Sequence, residues 1–203
     1  MPVSTDEGNV NASAGALTIL RPDRSTVRLG AVWAEQPVVL ALVRHFGCIF
    51  CKEQVSRLRT IVGDIHSAGA ELVIVGSGSP QMAGFFAEDY AITTTVLTDP
   101  ERRVYQALEV RRPPRLAFVD PRVFVRGLRA LLRGYRQQSA QMSERGDETQ
   151  LGGVFIVRPG GTLAWAYRSA FAGDHPTNAA ILSALREAMR VPLVQSNCER
   201  PQP

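Results

Sequence analysis

The chain has 203 residues, 45% of them hydrophobic, and a formal charge of +4, which fits one domain with tails and enough sequence to bury a full core. Its three cysteines are too few to staple a small secreted scaffold, and its basic balance is too slight to argue for a polyanion partner. Of the 23 basic side chains only Lys52 is a lysine; with the abundant alanine, that skew reads as codon bias in a GC-rich genome, and no nucleic-acid partner is expected.

Residues 1–16 read as a flexible N-terminal tail, polar and acidic at Asp6 and Glu7, without the basic start and apolar run of a signal peptide. Leu17–Leu20 and Val27–Trp33, separated by Arg21-Pro22-Asp23, form an expected edge hairpin. Val38–Phe46 is the first central strand, continuously apolar as a strand covered on both faces should be. Its Val38–Val43 core is the longest purely apolar run and falls far short of a membrane span. A soluble cytoplasmic protein without a transmembrane segment is the resulting expectation.

The strand runs into Cys48-Ile49-Phe50-Cys51, and a helix from about Cys51 to Ser67 follows, with Val55, Leu58, Ile61, Val62 and Ile65 at helical spacing. A thiol at a helix N-terminus faces unpaired backbone N–H groups and the positive end of the macrodipole, which stabilises its thiolate. The second thiol, one turn on, is in reach to close a disulfide. Half of a zinc site is the competing reading, but His45, His66, His175 and Cys198 supply no second paired spacing. Two inert core cysteines are the third possibility. Cys-x-x-Cys after a strand in a βαβ-like context favours redox chemistry. No metal and no cofactor is expected. His66 sits near the end of the helix, which Gly69 stops, and reads as a surface group.

Glu71–Gly76 is the second central strand. Ser79 then caps a helix with Pro80 at its first position and Met82, Phe85 and Phe86 on its apolar face. Gly76 and Gly78 suggest a phosphate loop, but neither motif that would confirm one follows. Thr94–Thr98 is a short strand, Asp99-Pro100 opens the next helix, and Val104–Val110 carries it onward. Residues from about 111 to 150 form a helical insert. Val154–Val157, the turn Arg158-Pro159-Gly160-Gly161 and Thr162–Tyr167 make a β-hairpin. A last helix, capped from Asp174 to Thr177, turns Ala180, Ile181, Leu185 and Met189 inward. Residues 191–203, with Cys198, read as a flexible tail, which leaves one domain over residues 17–190. The order β-α-β-α-β-α, an insert, then β-β-α is an α/β sandwich with a mixed sheet.

That order, with Cys-x-x-Cys after the first central strand, is similar to the thioredoxin fold. Val43–Gln54, Val75–Pro80, Leu97–Pro100, Gly152–Phe155 and Phe171–Pro176 resemble, in chain order, the peroxiredoxin-like branch of the alkyl hydroperoxide reductase/thiol-specific antioxidant (AhpC/TSA) superfamily. That branch includes selenoprotein-U-like proteins and prostamide/prostaglandin F synthase, and the resemblance runs from about Ala16 to Met189. It implies a three-layer thioredoxin-like sandwich, an antioxidant thiol-dependent enzyme, and Cys48 and Cys51 as the redox-active pair. Two departures accompany it. Peroxiredoxins carry Pro-x-x-x-Thr/Ser-x-x-Cys at the attacking thiol; with Cys51 in that place, Cys48 stands for the Thr and Arg44 for the Pro. Thioredoxins place a cis-proline before the facing strand, where this chain reads Gln150-Leu151-Gly152-Gly153.

Within the insert, Arg122, Arg126, Arg129, Arg133 and Arg136 fall on one helical stripe opposite Phe124, Leu128, Leu131, Leu132 and Tyr135. The expectation is a surface helix docked by its apolar face, so that Leu128 is buried and Arg129 is not. An anionic partner, an acidic membrane surface or anionic substrate recruitment are the alternatives.

The function expected is a thiol-disulfide oxidoreductase. Cys48, at an exposed helix start, attacks the substrate as a thiolate, and Cys51 resolves the mixed disulfide or sulfenic acid. Arg44 and His45 are nearby candidates for lowering the thiol pKa. The partners expected are a thiol reductant (a thioredoxin-like protein or a small thiol) and a disulfide or peroxide substrate. A peroxide or lipid-endoperoxide reductase, and a non-catalytic redox sensor or binding module using the arginine helix, are the rivals. Exchange with disulfides is expected to outpace reduction of hydrogen peroxide.

Overall fold

The computed structural model describes residues 3–4, 13–114, 125, 127–128, 132, 134 and 146–190. Among the described residues eight strands form one mixed sheet in the order β1-β8-β7-β4-β5-β6-β2-β3. They are β1 (Val3–Ser4), β2 (Thr18–Leu20), β3 (Thr26–Arg28), β4 (Val38–Leu42), β5 (Glu71–Gly76), β6 (Thr95–Thr98), β7 (Gly153–Val157) and β8 (Leu163–Arg168). β4, β5 and β6 are parallel neighbours, while β7 joins β4 antiparallel, Leu40 opposite Phe155. The helices described over their whole length are α1 (Ile49–Arg59), α2 (Val62–Ser67), α3 (Pro80–Asp89), α4 (Arg103–Ala107) and α5 (Asn178–Arg190).

The expected edge hairpin is β2–β3, with Ile19 opposite Val27, and it continues into a 3₁₀ turn at Leu29–Trp33. Val3–Ser4, inside the segment expected as a tail, pairs with β8 at the far edge. Every residue of β4 is buried, which is what its unbroken apolar run requires of a strand with cover on both sides. One face packs on α1, α2, α3 and α5 through Val39, Ala41, Val55, Ile65, Phe86 and Leu185. The other packs on α4 and the 3₁₀ turn through Trp33, Leu40, Leu42, Val75, Tyr105 and Phe155. The architecture is the α/β three-layer sandwich with a mixed central sheet.

Several expectations move in detail. The single helix of about 51–67 is two, broken at Thr60 and Ile61, where the Thr60 hydroxyl donates to the Arg57 carbonyl at 2.8 Å and competes with the helical bond pattern. Ser79 caps α3 as read, its hydroxyl accepting from the Met82 N–H at 3.2 Å, but Phe85 is 47% exposed while Met82 and Phe86 are buried. On α5 the inward stripe is Ile181, Leu185 and Ala188, with Ala180 and Met189 outward, because positions four and seven residues apart share a helix face. His66 is a surface group, 3.2 Å from the Glu71 carboxylate.

The insert's arginine stripe, with Phe124, Leu131 and Tyr135, lies outside the described residues, as does Cys198. Val125, Gly127, Leu128 and Leu132 are helical. Leu128 is 49% and Leu132 78% exposed, so neither anchors this helix. The described contact runs through Gly127, where a Cβ atom would stand 3.6 Å from the Phe50 ring.

Candidate active site

The site forms where β4 ends. Val43-Arg44-His45-Phe46-Gly47 carries the chain from the strand to α1, and Cys48 is the N-cap residue of that helix, extended at φ −78° and ψ 126°. Its side chain makes no capping hydrogen bond to the helix. The helix start was read as an exposed seat for this thiol, yet Cys48 is 3% exposed and Cys51 fully buried. The physical reason is Arg44, which folds back across the pair from the end of β4. Its Nη1 lies 3.3 Å from Cys48 Sγ and its backbone N–H donates to Cys51 Sγ at 3.2 Å. Both cysteines are free thiols.

Arg44 is itself buried, at 6% exposure, and a buried guanidinium must have its donors met. Nε donates to the Gln150 carbonyl at 3.0 Å and Nη2 to the Glu148 carbonyl. These two acceptors lie more than a hundred residues downstream, in the loop that leads into β7. The Arg44 carbonyl accepts from the Ser77 hydroxyl at 2.7 Å. Held at its fork by two carbonyls, the guanidinium lays Nη1 on the sulfur. His45, 3% exposed, keeps Nδ1 buried without a hydrogen-bond partner among the described residues.

The electrostatic result is an asymmetric pair. Burial pushes the Cys48 thiol up, but a hydrogen bond from Cys51, the Arg44 charge and His45 bring it well below the ordinary cysteine value. Cys51 goes the other way, raised well above that value by burial, by its bond to Cys48 and by the negative charge there. The two shifts favour a negative charge on Cys48 and keep the proton on Cys51. That division of labour is what nucleophilic attack followed by resolution requires.

Phe50, between the two cysteines, is packed so tightly that only glycine fits beside it. A Cβ on Gly173 would meet its ring at 2.9 Å, and Gly173 has φ +81°, a conformation that favours glycine. The loop carrying Gly173 is tied down by Asp174, whose carboxylate accepts from the Tyr167 hydroxyl at 2.7 Å and from the Ala170 N–H at 2.9 Å. Gly152 is equally constrained, since a Cβ would lie 2.4 Å from the Leu42 carbonyl oxygen.

Sequence reasoning brought Cys48, Cys51, Arg44 and His45 to this place. It missed Glu148 and Gln150, which act through backbone carbonyls that no side-chain pattern reveals. It also missed Asp147, for which Asp147-Glu148-Thr149 is a readable turn signal. An open cleft of about 490 Å³ borders this loop, lined by Ser77, Ser79, Arg102, Arg112 and Asp147 among others. Among the described residues no group of three or more His, Cys, Asp or Glu side chains is placed to share a metal ion, and no helix is long and apolar enough to cross a membrane.

Solved structures with the same fold include the peroxidoxin BcpB of Mycobacterium tuberculosis, at TM-score 0.61 and 15% identity, covering 84% of this chain and 92% of that one. Peroxiredoxin Q of Xanthomonas campestris aligns at TM-score 0.62 and 15% identity over 88% and 95%. In sequence the chain is 29% identical to human peroxiredoxin-like 2C over 187 residues, 89% of this chain and 83% of that protein. It is 29% identical to the chloroplastic thioredoxin-like protein AAED1 of Arabidopsis thaliana over 164 residues, 78% of this chain and 65% of that longer protein. The prostamide/prostaglandin F synthase of Salmo salar is 28% identical over 87% of this chain and 86% of its own length. The model of the AhpC/TSA antioxidant enzyme family matches residues 57–170, more than half of the chain and starting just beyond the cysteine pair. The chain belongs to the AhpC/TSA antioxidant enzyme family, in its peroxiredoxin-like branch.

Proposed function

We propose that this protein is a thiol-dependent oxidoreductase whose cycle alternates between the Cys48/Cys51 dithiol and an intramolecular disulfide, with Cys48 as nucleophile. The observation that carries this reading is the asymmetry of the pair: Arg44 Nη1 lies 3.3 Å from Cys48 Sγ, while Cys51 Sγ accepts from the Arg44 backbone N–H. With a disulfide substrate, the Cys48 thiolate attacks one substrate sulfur, and the other leaves as a thiolate. Cys51 then loses its proton and attacks Cys48 Sγ, releasing the second substrate thiol and closing the Cys48–Cys51 disulfide. Loss of the negative charge on Cys48 in the first step removes one of the causes that hold the Cys51 proton, so resolution follows attack. A thioredoxin-like protein or a small thiol returns two electrons and restores the dithiol.

A hydroperoxide is the second reading, and the burial of Cys48 favours it over a bulky protein disulfide. The thiolate would take the distal oxygen, giving a sulfenic acid and an alcohol, and Cys51 would condense with the sulfenic acid to release water. Peroxide reduction needs a donor for the charge that develops as the O–O bond breaks. Arg44 Nη1, 3.3 Å from Cys48 Sγ, is a donor placed for that charge.

Turnover with dithiothreitol against a small disulfide and against a hydroperoxide, followed by non-reducing peptide mapping, tests the reading. A Cys48–Cys51 disulfide that forms and is reduced in each cycle is expected. Single oxidation without turnover would make the pair a sensor, and a dominant Cys198 linkage or tightly bound zinc would remove the assignment.

A further inference from the structure

We infer that Asp147 is the positioning residue of this site: its clasp on Arg102 and Arg112 sets the loop whose carbonyls hold Arg44 against Cys48. The inference rests on the reading of Cys48 as the nucleophile and adds a residue that touches neither thiol. Asp147 Oδ2 accepts from Arg102 Nη1 at 2.7 Å and from Arg112 Nη2 at 2.6 Å. Oδ1 accepts from the Thr149 N–H at 2.8 Å and the Thr149 hydroxyl at 2.6 Å. Four donors on one carboxylate, whose side chain is 10% exposed, leave the loop little freedom. Burial alone would raise the Asp147 pKa, but the Thr149 bonds and the two arginines hold it below the usual carboxylate value.

The turn that Asp147 closes has a specific consequence. With the Thr149 N–H drawn back to Asp147, the carbonyls on either side of Thr149, those of Glu148 and Gln150, are the ones presented to Arg44. Gln150 is pinned in turn, its N–H donating to the Asp147 carbonyl at 3.2 Å and its side-chain amide reaching the carbonyls of Val110 and Arg111. The other end of the loop is seated as firmly. A Cβ on Gly146, at φ +98°, would meet Ser77 Oγ at 2.5 Å, and that same hydroxyl donates to the Arg44 carbonyl. A planar guanidinium delivers a bond in one direction only when its other donors are fixed. Here they are fixed by a loop, and the loop by Asp147.

The sign of the effect separates positioning from plain electrostatics. The groups that act on Cys48 are Arg44 and His45 from the end of β4 and Cys51 from α1. Removing a carboxylate in this neighbourhood favours the Cys48 thiolate by charge alone. Loss of the clasp does the opposite, because Arg44 is released from the sulfur.

The experiment is the pH profile of Cys48 alkylation by iodoacetamide, read by peptide mass spectrometry on the full chain. Asp147→Asn is expected to move the Cys48 midpoint upward and to slow alkylation below it by about ten-fold, the loss of thiolate that a rise of about one pH unit brings. Asp147→Glu should recover part of the loss. In an Arg44→Gln background Asp147→Asn should add nothing, since residues acting through one another are not additive. Thr149→Val removes no charge and should shift the profile the same way by less, which keeps the test open if Asp147→Asn folds poorly. A midpoint unmoved or lowered in Asp147→Asn and Thr149→Val, or an equal shift without Arg44, would overturn the inference. A wild-type Cys48 midpoint at the ordinary cysteine value would instead overturn the choice of nucleophile.

Discussion

On one face of the central sheet Trp33, Leu40 and Phe155 are fully buried, and the hydroxyl of their neighbour Tyr105 is closed by the Val43 carbonyl at 2.6 Å, with the Val75 carbonyl at 3.1 Å also in range. At the same end of β4, Arg44, His45, Cys48 and Cys51 are nearly as dry, with the two cysteines in the cluster on the other face. Burial therefore does not separate core from site. The separation lies in what the polar groups do for each other. The Tyr105 hydroxyl satisfies backbone carbonyls, and burial drives its ionisation out of reach. The Arg44 guanidinium meets backbone carbonyls through Nε and Nη2 and lays Nη1 on a sulfur, and the Cys48 thiol is lowered while its neighbour is raised.

The comparison breaks most sharply at the nucleophile. Cys48→Ser should abolish turnover, whereas Cys51→Ser should accumulate a mixed disulfide or sulfenic acid on Cys48, visible in intact mass. Removal of the guanidinium comes next: Arg44→Gln should slow oxidation of Cys48 by about 10²–10³, the usual cost of one preorganised donor. On the apolar face, Phe155→Ala should lower stability by about 3–5 kcal/mol through the cavity it leaves, with the alkylation midpoint of Cys48 unchanged. A shifted midpoint there would mean that the two faces are coupled. Gly173→Ala should cost about 1–3 kcal/mol, because it combines strained backbone with a clash on Phe50, and chemical denaturation reads it directly. The smallest effect belongs to the insert, where Leu128→Ala should stay within about 0.5 kcal/mol, as for any exposed side chain. A loss above 2 kcal/mol in thermal or urea melts would show that Leu128 is packed after all.

The sequence made one side of this contrast easier to read than the other. The unbroken apolar run of β4, the Ser79-Pro80 start of α3 and the Gly-rich turn between β7 and β8 each follow local rules, and each is where those rules put it. The Cys-x-x-Cys at the head of α1 was legible for the same reason. The burial of Cys48 was not, because it depends on Arg44 turning back over the pair and on carbonyls more than a hundred residues away. A helical wheel of the insert also failed at Leu128 and Leu132. The wheel distinguishes an apolar side but cannot say which part of it meets the body of the protein, and among the described residues the contact falls on Gly127. Phe85 on α3 shows the same limit, since an apolar residue at helical spacing can still sit at the rim of its stripe.

Differential alkylation of the reduced wild-type protein at neutral pH tests the central claim most directly. A limiting amount of iodoacetamide, quenched early and followed by peptide mapping, reports which sulfur is the thiolate. The account requires label on Cys48 first, with a midpoint below the ordinary cysteine value of about 8.5, while Cys51 reacts only at higher pH. Equal labelling of the two sulfurs, or label on Cys51 first, would contradict it.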